Sequence, residues 1–205
     1  MLSYKLINSS SSNEIINSTK NDLYQYRVYI GQYNVKMLPT NSYWYLDNNT
    51  VVSKSGDGTE LDSKLLCVEI FGYTPETRSS SYDRYTDLPY INGCSTKQLI
   101  NSVRQGDPTW QMLYMPPHTS EQQHHIHSTP RIVYVHRGHG TSHIGISEIN
   151  MKDIPLTEGD VLILDKMIPH HFSTAGEELI VLPLHIFTST GNEFNHPMYN
   201  GTHKI

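Results

Sequence analysis

The amino-acid sequence predicts an all-β protein, a sandwich or barrel of short strands. In the second half of the chain, apolar and β-branched runs recur at short, regular intervals and end at Gly, Pro, Asn or Asp, which is typical of such folds. Charged residues make up 17% of the chain and 14 residues are Tyr, a composition that favours strands and polar loops over long surface helices. At 205 residues the chain is long enough to bury a substantial core.

Strand patterns begin after a polar N-terminal segment. Residues 1–20 are polar and without period, and we expect them to form a flexible polar arm. Apolar and polar residues alternate over residues 24–30, which predicts a strand. The Asn48-Asn49 pair lies between an aromatic run and a β-branched run and predicts a hairpin. Residues 65–71 predict another strand.

Weaker patterns fill the chain up to residue 107. Residues 74–93 form a long polar run that predicts a loop, and residues 96–104 are the best candidate for a short helix. We expect residues 21–107 to form an N-terminal β extension that packs on the rest of the protein.

The C-terminal half has the most regular strand pattern. We expect residues 108–190 to form the core of the fold and residues 191–205 to form a C-terminal tail. The predicted core strands are residues 110–115, 131–136, 141–146, 160–164, 170–174 and 178–187.

Charge and apolar patterns exclude several classes of function. The 15 basic and 20 acidic residues give a net charge of −5, which argues against a nucleic-acid partner because such proteins carry a basic footprint. No apolar run approaches the roughly 18 residues of a membrane span, and the N-terminus lacks the order of a signal peptide. Two cysteines, Cys67 and Cys94, are too few for a disulfide scaffold. We therefore expect a cytoplasmic protein without a membrane partner.

Histidine is the residue type that points to chemistry. The chain has 12 His, and the densest stretch is His124-His125-Ile126-His127. Residues i and i+2 of a strand point to the same side, so His125 and His127 can share one face. A third imidazole from His170, on a distant strand, would place three nitrogens around one divalent ion. Three protein ligands leave positions open for substrate, water or dioxygen.

In the spacing of these histidines, the second half of the chain resembles the cupins, which are small double-stranded β-helix barrels. The first cupin motif has the form G-x5-HxH-x3/4-E-x6-G, which His125, His127 and Gly138 match. The second has the form G-x5-PxG-x2-H-x3-N, which Gly159 and His170 match. The resemblance implies a jelly-roll barrel with additional N-terminal strands, and a homodimer formed through such strands.

Several positions depart from the cupin motifs. Arg131 stands where cupins have the metal-binding Glu. A guanidinium cannot bind a cation, so an inward-facing Arg131 requires an anion. That anion would be a carboxylate of the substrate or a protein carboxylate, for which Asp165 and Glu178 are the candidates. The other departures are Thr119 for the first Gly, Asp165-Lys166-Met167 for Pro-x-Gly, and Thr174 for Asn.

From these residues we predict an Fe(II)-dependent dioxygenase that acts on a small anionic organic substrate. Three neutral imidazoles leave the 2+ charge of the ion uncompensated, and Arg131 adds a further positive charge. Such a site should favour a chelating anion: a carboxylate, an enolate or a catecholate. Arg131 would hold a carboxylate, and His185 is the candidate acid or base.

Two alternatives stay open at this point. One is a non-redox metal cupin, such as a sugar isomerase, an epimerase or a lyase, in which the ion polarises a carbonyl. The other is a module that binds a small ligand without turning it over. The expected cofactor is one divalent ion per chain, with Fe(II) favoured over Zn, Mn, Ni or Cu. His124 and His171 are one step out of register and should face away from the metal site.

Overall fold

The fold is all-β, as the sequence predicts. The computed structural model describes residues 4–10, 13–18, 25–63, 65–83, 86–103, 107–121, 124–146, 150–186 and 202–204. Beside the strands, these residues include one turn of 3-10 helix at Ile91–Gly93. The strands are β1 (Tyr4–Ile7), β2 (Glu14–Asn17), β3 (Tyr26–Ile30), β4 (Tyr33–Lys36), β5 (Ser42–Asp47), β6 (Thr50–Ser55), β7 (Glu60–Ser63), β8 (Leu66–Ile70), β9 (Arg78–Ser81), β10 (Leu88–Pro89), β11 (Ser95–Ile100), β12 (Thr109–Met115), β13 (His125–His127), β14 (Arg131–Ile144), β15 (Lys152–Thr157), β16 (Val161–Leu164), β17 (His170–Ser173), β18 (Leu179–His185) and β19 (Thr202–Lys204).

The chain divides into two compact units. The larger comprises Met1–Ser9 and Arg84–Ile205, and the smaller is Ser10–Asp83. The division between the two units therefore falls after residue 83. Within the segment expected to be a polar arm, β1 pairs with β16 and β2 pairs with β3, because a neighbouring strand supplies the backbone partners that local sequence does not reveal. The expected tail lies outside the described residues, apart from β19.

The smaller unit is built on an antiparallel sheet. Its strand order is β2-β3-β8-β5-β6-β9, and β4 and β7 pair separately. The predicted hairpin is confirmed by the turn between β5 and β6, where Asn48 and Asn49 have positive φ angles of 43° and 63°. A two-residue turn of this kind matches the twist of the strands that it joins, and Asn tolerates the conformation.

The larger unit is an eleven-stranded antiparallel sheet. Its main path is β10-β11-β12-β18-β14-β17-β13-β19, and β1, β15 and β16 lie off this path. The long strand β14 changes partners along its length: its first part pairs with β16 and β18, and its last part pairs with β15 and β17. A buried apolar cluster packs between these strands and includes Leu113, Met115, Val133, Val135, Leu162, Leu164, Phe172 and Val181.

A glycine allows β14 to change partners. Gly138 has a φ of 81°, and a Cβ atom there would lie 1.9 Å from the backbone oxygen of Glu178. Only Gly fits such a backbone. Met167, at the position of the second motif's Gly, also has a left-handed φ of 63°. Its N–H donates to the backbone oxygen of His127 at 2.7 Å, so the turn keeps its shape although a side chain is present.

Four local predictions were wrong. β9 lies within the predicted loop at residues 74–93, and β11 replaces the predicted helix because it pairs with β12. Residues 131–136 and 141–146 belong mostly to the single strand β14, not to two strands. β15 was missed because Pro155 interrupts its pattern. A strand tolerates Pro at a sheet edge, and β15 pairs with β14 alone.

Candidate metal centre

Three histidine rings converge inside the larger unit. His125 and His127 lie on the same side of β13, and His125 is in register with His170 of β17. The ring centroids are 4.8 Å apart for His125 and His127, 4.7 Å for His125 and His170, and 5.2 Å for His127 and His170. Each ring offers one nitrogen, and the three nitrogens lie within 4.8 Å of one another. The cluster could hold one metal ion, as the sequence predicts.

Hydrogen bonding prepares His170 for metal binding. Its Nδ1 lies 2.8 Å from the backbone oxygen of Ile168, so Nδ1 carries the proton and Nε2 carries the lone pair. That Nε2 is buried and has no hydrogen-bond partner. An orphaned imidazole nitrogen among two other buried imidazoles is the donor set that a divalent transition metal prefers, and these residues therefore fit such an ion.

Burial keeps His127 and His170 of this cluster neutral. Desolvation, assisted by the positive charge of Arg131, lowers the pKa of His127 well below its ordinary value of 6.5. Desolvation also lowers the pKa of His170, with further contributions from His125 and Arg131. Neutral imidazole is the form that binds a metal, so protons do not compete for these rings at neutral pH.

Arg131 faces the same interior as the histidines. Val133 and Val135 follow it at two-residue spacing along β14 and belong to the apolar cluster, so the three side chains share one face of the strand. Arg131 is 1% exposed. Desolvation lowers the pKa of its guanidinium to about 10, against the opposing charge of Glu121, and Arg131 therefore stays protonated at neutral pH.

The fourth buried ring is His185. It lies directly opposite Arg131 across the β14–β18 pair, and its ring centroid is 5.7 Å from that of His127. Desolvation and the charge of Arg131 lower the pKa of His185 well below 6.5. Its Nε2 is buried without a hydrogen-bond partner. His185 is therefore a neutral imidazole beside the three-histidine cluster.

The carboxylate that acts on Arg131 is one that sequence reasoning missed. Glu178 was a candidate, but its Oε1 pairs with Arg137 Nε at 3.2 Å. Glu121 instead contributes the opposing charge at Arg131. Glu121 is fully buried, and desolvation raises the pKa of its carboxyl to about 7 despite the favourable charge of Arg131. Arg131 is thus partly compensated from within the protein. Nothing in the local sequence around Glu121 marks this long-range contact.

His124, His143 and His171 form a separate cluster on the outer face, as expected for His124 and His171. His124 Nδ1 lies 2.9 Å from His171 Nδ1, and the ring of His143 stacks on that of His171 at 4.4 Å. His143 is held by Asp153 Oδ1 at 2.7 Å and by Ser173 Oγ at 2.6 Å. None of these rings joins the inner cluster, because alternate residues of a strand face opposite sides.

Comparison with known proteins agrees with this fold. Residues 111–187 match the family model described as "Cupin domain". Three solved structures are similar in fold. The cupin 2 conserved barrel domain protein from Leptotrichia buccalis has 13% identity over 89% of this chain and 96% of that chain, with a TM-score of 0.53. Protein Ylba from Escherichia coli has 10% identity over 93% of each chain, with a TM-score of 0.56. A variant of salicylate 1,2-dioxygenase from Pseudoaminobacter salicylatoxidans has 9% identity over 84% of this chain and 76% of that chain, with a TM-score of 0.56.

These matches define the protein class. Residues 111–187 form a cupin domain, and the chain shares its fold with a solved cupin barrel protein. The structural likenesses concern the fold, since sequence identity is low. A search of curated proteins gives no match. In the part of the chain that the structure describes, no helix has the length and apolar character needed to cross a membrane.

Proposed function

We propose that this cupin is a metal-dependent enzyme, and specifically a non-haem Fe(II) dioxygenase that acts on a small anionic organic substrate. The observation that carries the proposal is the convergence of His125, His127 and His170, a group that includes no carboxylate from the part of the chain that the structure describes. Three neutral ligands leave the charge of a divalent ion uncompensated, which favours an anionic substrate as a further ligand. When bound, Fe(II) would supply the redox chemistry with dioxygen.

Arg131 would bind a carboxylate of that substrate. Its Nε and Nη2 are both buried without a hydrogen-bond partner. These two atoms form one edge of the guanidinium, and their N–H bonds point in parallel toward the two oxygens of a carboxylate. Since a buried unpaired donor costs about 1–3 kcal/mol, a bidentate carboxylate would stabilise this edge strongly. Arg131 thereby fixes the orientation of the substrate.

His185 would hold or accept a proton beside the bound substrate. His185 is neutral, so one of its ring nitrogens has a lone pair that can accept a proton. It lies opposite Arg131 in the β14–β18 pair, which supports a role beside a carboxylate bound to Arg131. The apolar cluster around Val133, Phe172 and Val181 closes one side of the interior to water. A dry interior strengthens the charge interaction between Arg131 and an anion.

Metal analysis and dioxygen uptake test the proposal. The protein is purified under nitrogen, its metals are quantified, and dioxygen consumption is followed after addition of a panel of catecholates, enolates and 2-oxo or hydroxy carboxylates. We expect iron at one ion per chain and dioxygen uptake with at least one anion. Arg131→Met should raise the KM for that anion without removing the iron.

Other outcomes favour the alternatives. Zn or Mn with turnover that does not depend on dioxygen would favour a non-redox isomerase, epimerase or lyase, in which the metal polarises a carbonyl. Ni and Cu would likewise contradict the assignment of iron. Ligand binding without turnover, with or without metal, would favour a binding module. Cytoplasmic location and a homodimer stay predictions, and light scattering of the purified chain tests the second.

A further inference from the structure

We propose that Glu121 is a substrate-binding residue of this site, and that Glu121 and Arg131 together select a carboxylate that carries a neighbouring hydroxyl or enol O–H. Arg131 would receive the carboxylate, and Glu121 would accept the hydrogen bond of the hydroxyl. The inference rests on the proposed function in taking the interior beside the three histidines as the site for an anion.

Glu121 differs from the other buried carboxylates that the structure describes. Glu69 accepts hydrogen bonds from the Tyr29 and Tyr43 hydroxyls, each at 2.9 Å, and from Asn41 Nδ2 at 2.8 Å. Asp107 and Asp160 each accept hydrogen bonds from backbone N–H groups. Both oxygens of Glu121, in contrast, are buried and accept no hydrogen bond. A buried acceptor without a hydrogen bond destabilises the fold, and a carboxylate with a purely structural role would be hydrogen-bonded as the other three are.

The position of Glu121 places it in the same interior as Arg131. Its N–H donates to the backbone oxygen of Phe172 at 3.0 Å, and Phe172 lies two residues from His170 on the inner face of β17. Glu121 and Arg131 are close enough to alter each other's pKa. They are not joined directly, because neither oxygen of Glu121 accepts a hydrogen bond from any donor.

The two side chains offer complementary polarity. The Nε and Nη2 edge of Arg131 presents only donors. Above its pKa of about 7, Glu121 is ionised and presents only acceptors. A carboxylate without a hydroxyl pairs with the Arg131 edge, but its negative charge is repelled by Glu121. A carboxylate with an adjacent O–H satisfies both, because its hydroxyl hydrogen faces Glu121. The pair therefore discriminates against anions that lack a donor.

Binding measurements on acids that differ by one hydroxyl test this inference. The probes are glycolate against acetate and mandelate against phenylacetate, titrated calorimetrically into the metal-loaded full chain under nitrogen. For the wild type we expect the hydroxy acid of at least one pair to bind about tenfold more tightly, the gain of one good hydrogen bond to a charged group. Glu121→Leu should remove most of that preference.

Two further variants distinguish recognition of the hydroxyl by Glu121 from two other causes: misfolding of the variant, and chelation of the hydroxy acid by the metal. Glu121→Gln keeps an acceptor oxygen and should retain part of the preference. Glu178→Gln removes a surface carboxylate bound to Arg137 and should leave the preference unchanged. If Glu121→Leu prefers hydroxy acids as strongly as the wild type does, the metal alone creates the preference and Glu121 does not bind substrate. If no probe binds the wild type, the inference is likewise overturned.

The outcome is independent of turnover. Hydroxyl selection by Glu121 in a protein that consumes no dioxygen would support this inference and contradict the dioxygenase. Dioxygen uptake with acids that lack a hydroxyl, together with no effect of Glu121→Leu on binding, would support the dioxygenase and contradict this inference.

Discussion

His125 and His170 face each other in register across the antiparallel strands β13 and β17, with their ring centroids 4.7 Å apart. The pairing makes the metal-site geometry a property of the sheet, because the backbone hydrogen bonds that align the strands also align the rings. On the opposite face of the same strands, His124 and His171 meet in the same way, with their Nδ1 atoms 2.9 Å apart. One sheet therefore carries two histidine clusters that differ in burial.

Adjacent histidines of one strand provide a matched test of the metal site. We expect His170→Gln to lower the affinity for a divalent ion more than the 10–100-fold typical of losing a supporting residue, because one of three ligands is removed. His171→Gln, on the outer face, should leave the affinity within a few-fold of the wild type. Competition with a chelating dye measures both, and equal losses in the two variants would contradict the assignment of the inner cluster.

Acid should destabilise the metal-free protein through its buried histidines. The folded-state pKa of His185 lies well below the 6.5 of an ordinary imidazole, so below pH 6.5 the unfolded chain binds a proton that the folded chain excludes. The resulting loss in the free energy of unfolding is absent above pH 6.5. It grows by up to about 1.4 kcal/mol per pH unit as the pH falls toward the folded-state pKa. Urea unfolding with EDTA at several pH values should show a shallower acid slope for His185→Gln. An unchanged slope would mean that His185 is protonated in the fold.

Glu121 should have the opposite linkage. Its pKa rises from 4.5 to about 7 on folding, so the folded chain holds a proton between these pH values that the unfolded chain has lost. The contribution of Glu121 to stability is present below pH 4.5 and is lost as the pH rises through 7, by about 3 kcal/mol for a shift of this size. In EDTA, Glu121→Gln should therefore gain stability relative to the wild type between pH 5 and pH 8. A constant difference would show that Glu121 is ionised throughout.

Two turn positions should respond in opposite directions to substitution. Gly138→Ala would place a Cβ atom 1.9 Å from a backbone oxygen, and we expect a loss of more than about 2 kcal/mol from the clash and the left-handed backbone. Met167→Gly should gain up to about 1 kcal/mol, because its φ of 63° suits Gly and its side chain is largely exposed. Gly176→Ala is the control, since nothing lies within 4 Å of its Cβ position. Thermal unfolding measures all three.

The histidine cluster could be predicted from the sequence because the pattern that reveals it lies within a few neighbouring residues. The two-residue period of a strand places His125 and His127 on one face whatever the rest of the fold does. The cupin spacing then located His170. The neutrality of these rings could not be predicted, because it depends on how completely other strands bury them.

The carboxylate whose charge acts on Arg131 could not be predicted from the sequence for the same reason. Glu178 was a natural candidate by its position near a core strand, but in the structure it binds Arg137. Glu121 precedes β13 in a segment without period, and only the path of the chain brings it into the interior. Strands β1 and β2 were missed likewise, because each has only four residues and β1 pairs with β16, which is distant in the sequence.

The continuity of β14 also limits how this protein can change in evolution. Arg131 near one end faces the inner site, and His143 near the other end faces the outer cluster, with no loop between them. Inserting or deleting one residue in the middle of β14 would turn one of these side chains to the wrong face. Length changes should therefore accumulate in the connections, and this segment should keep a fixed number of residues among relatives of the chain.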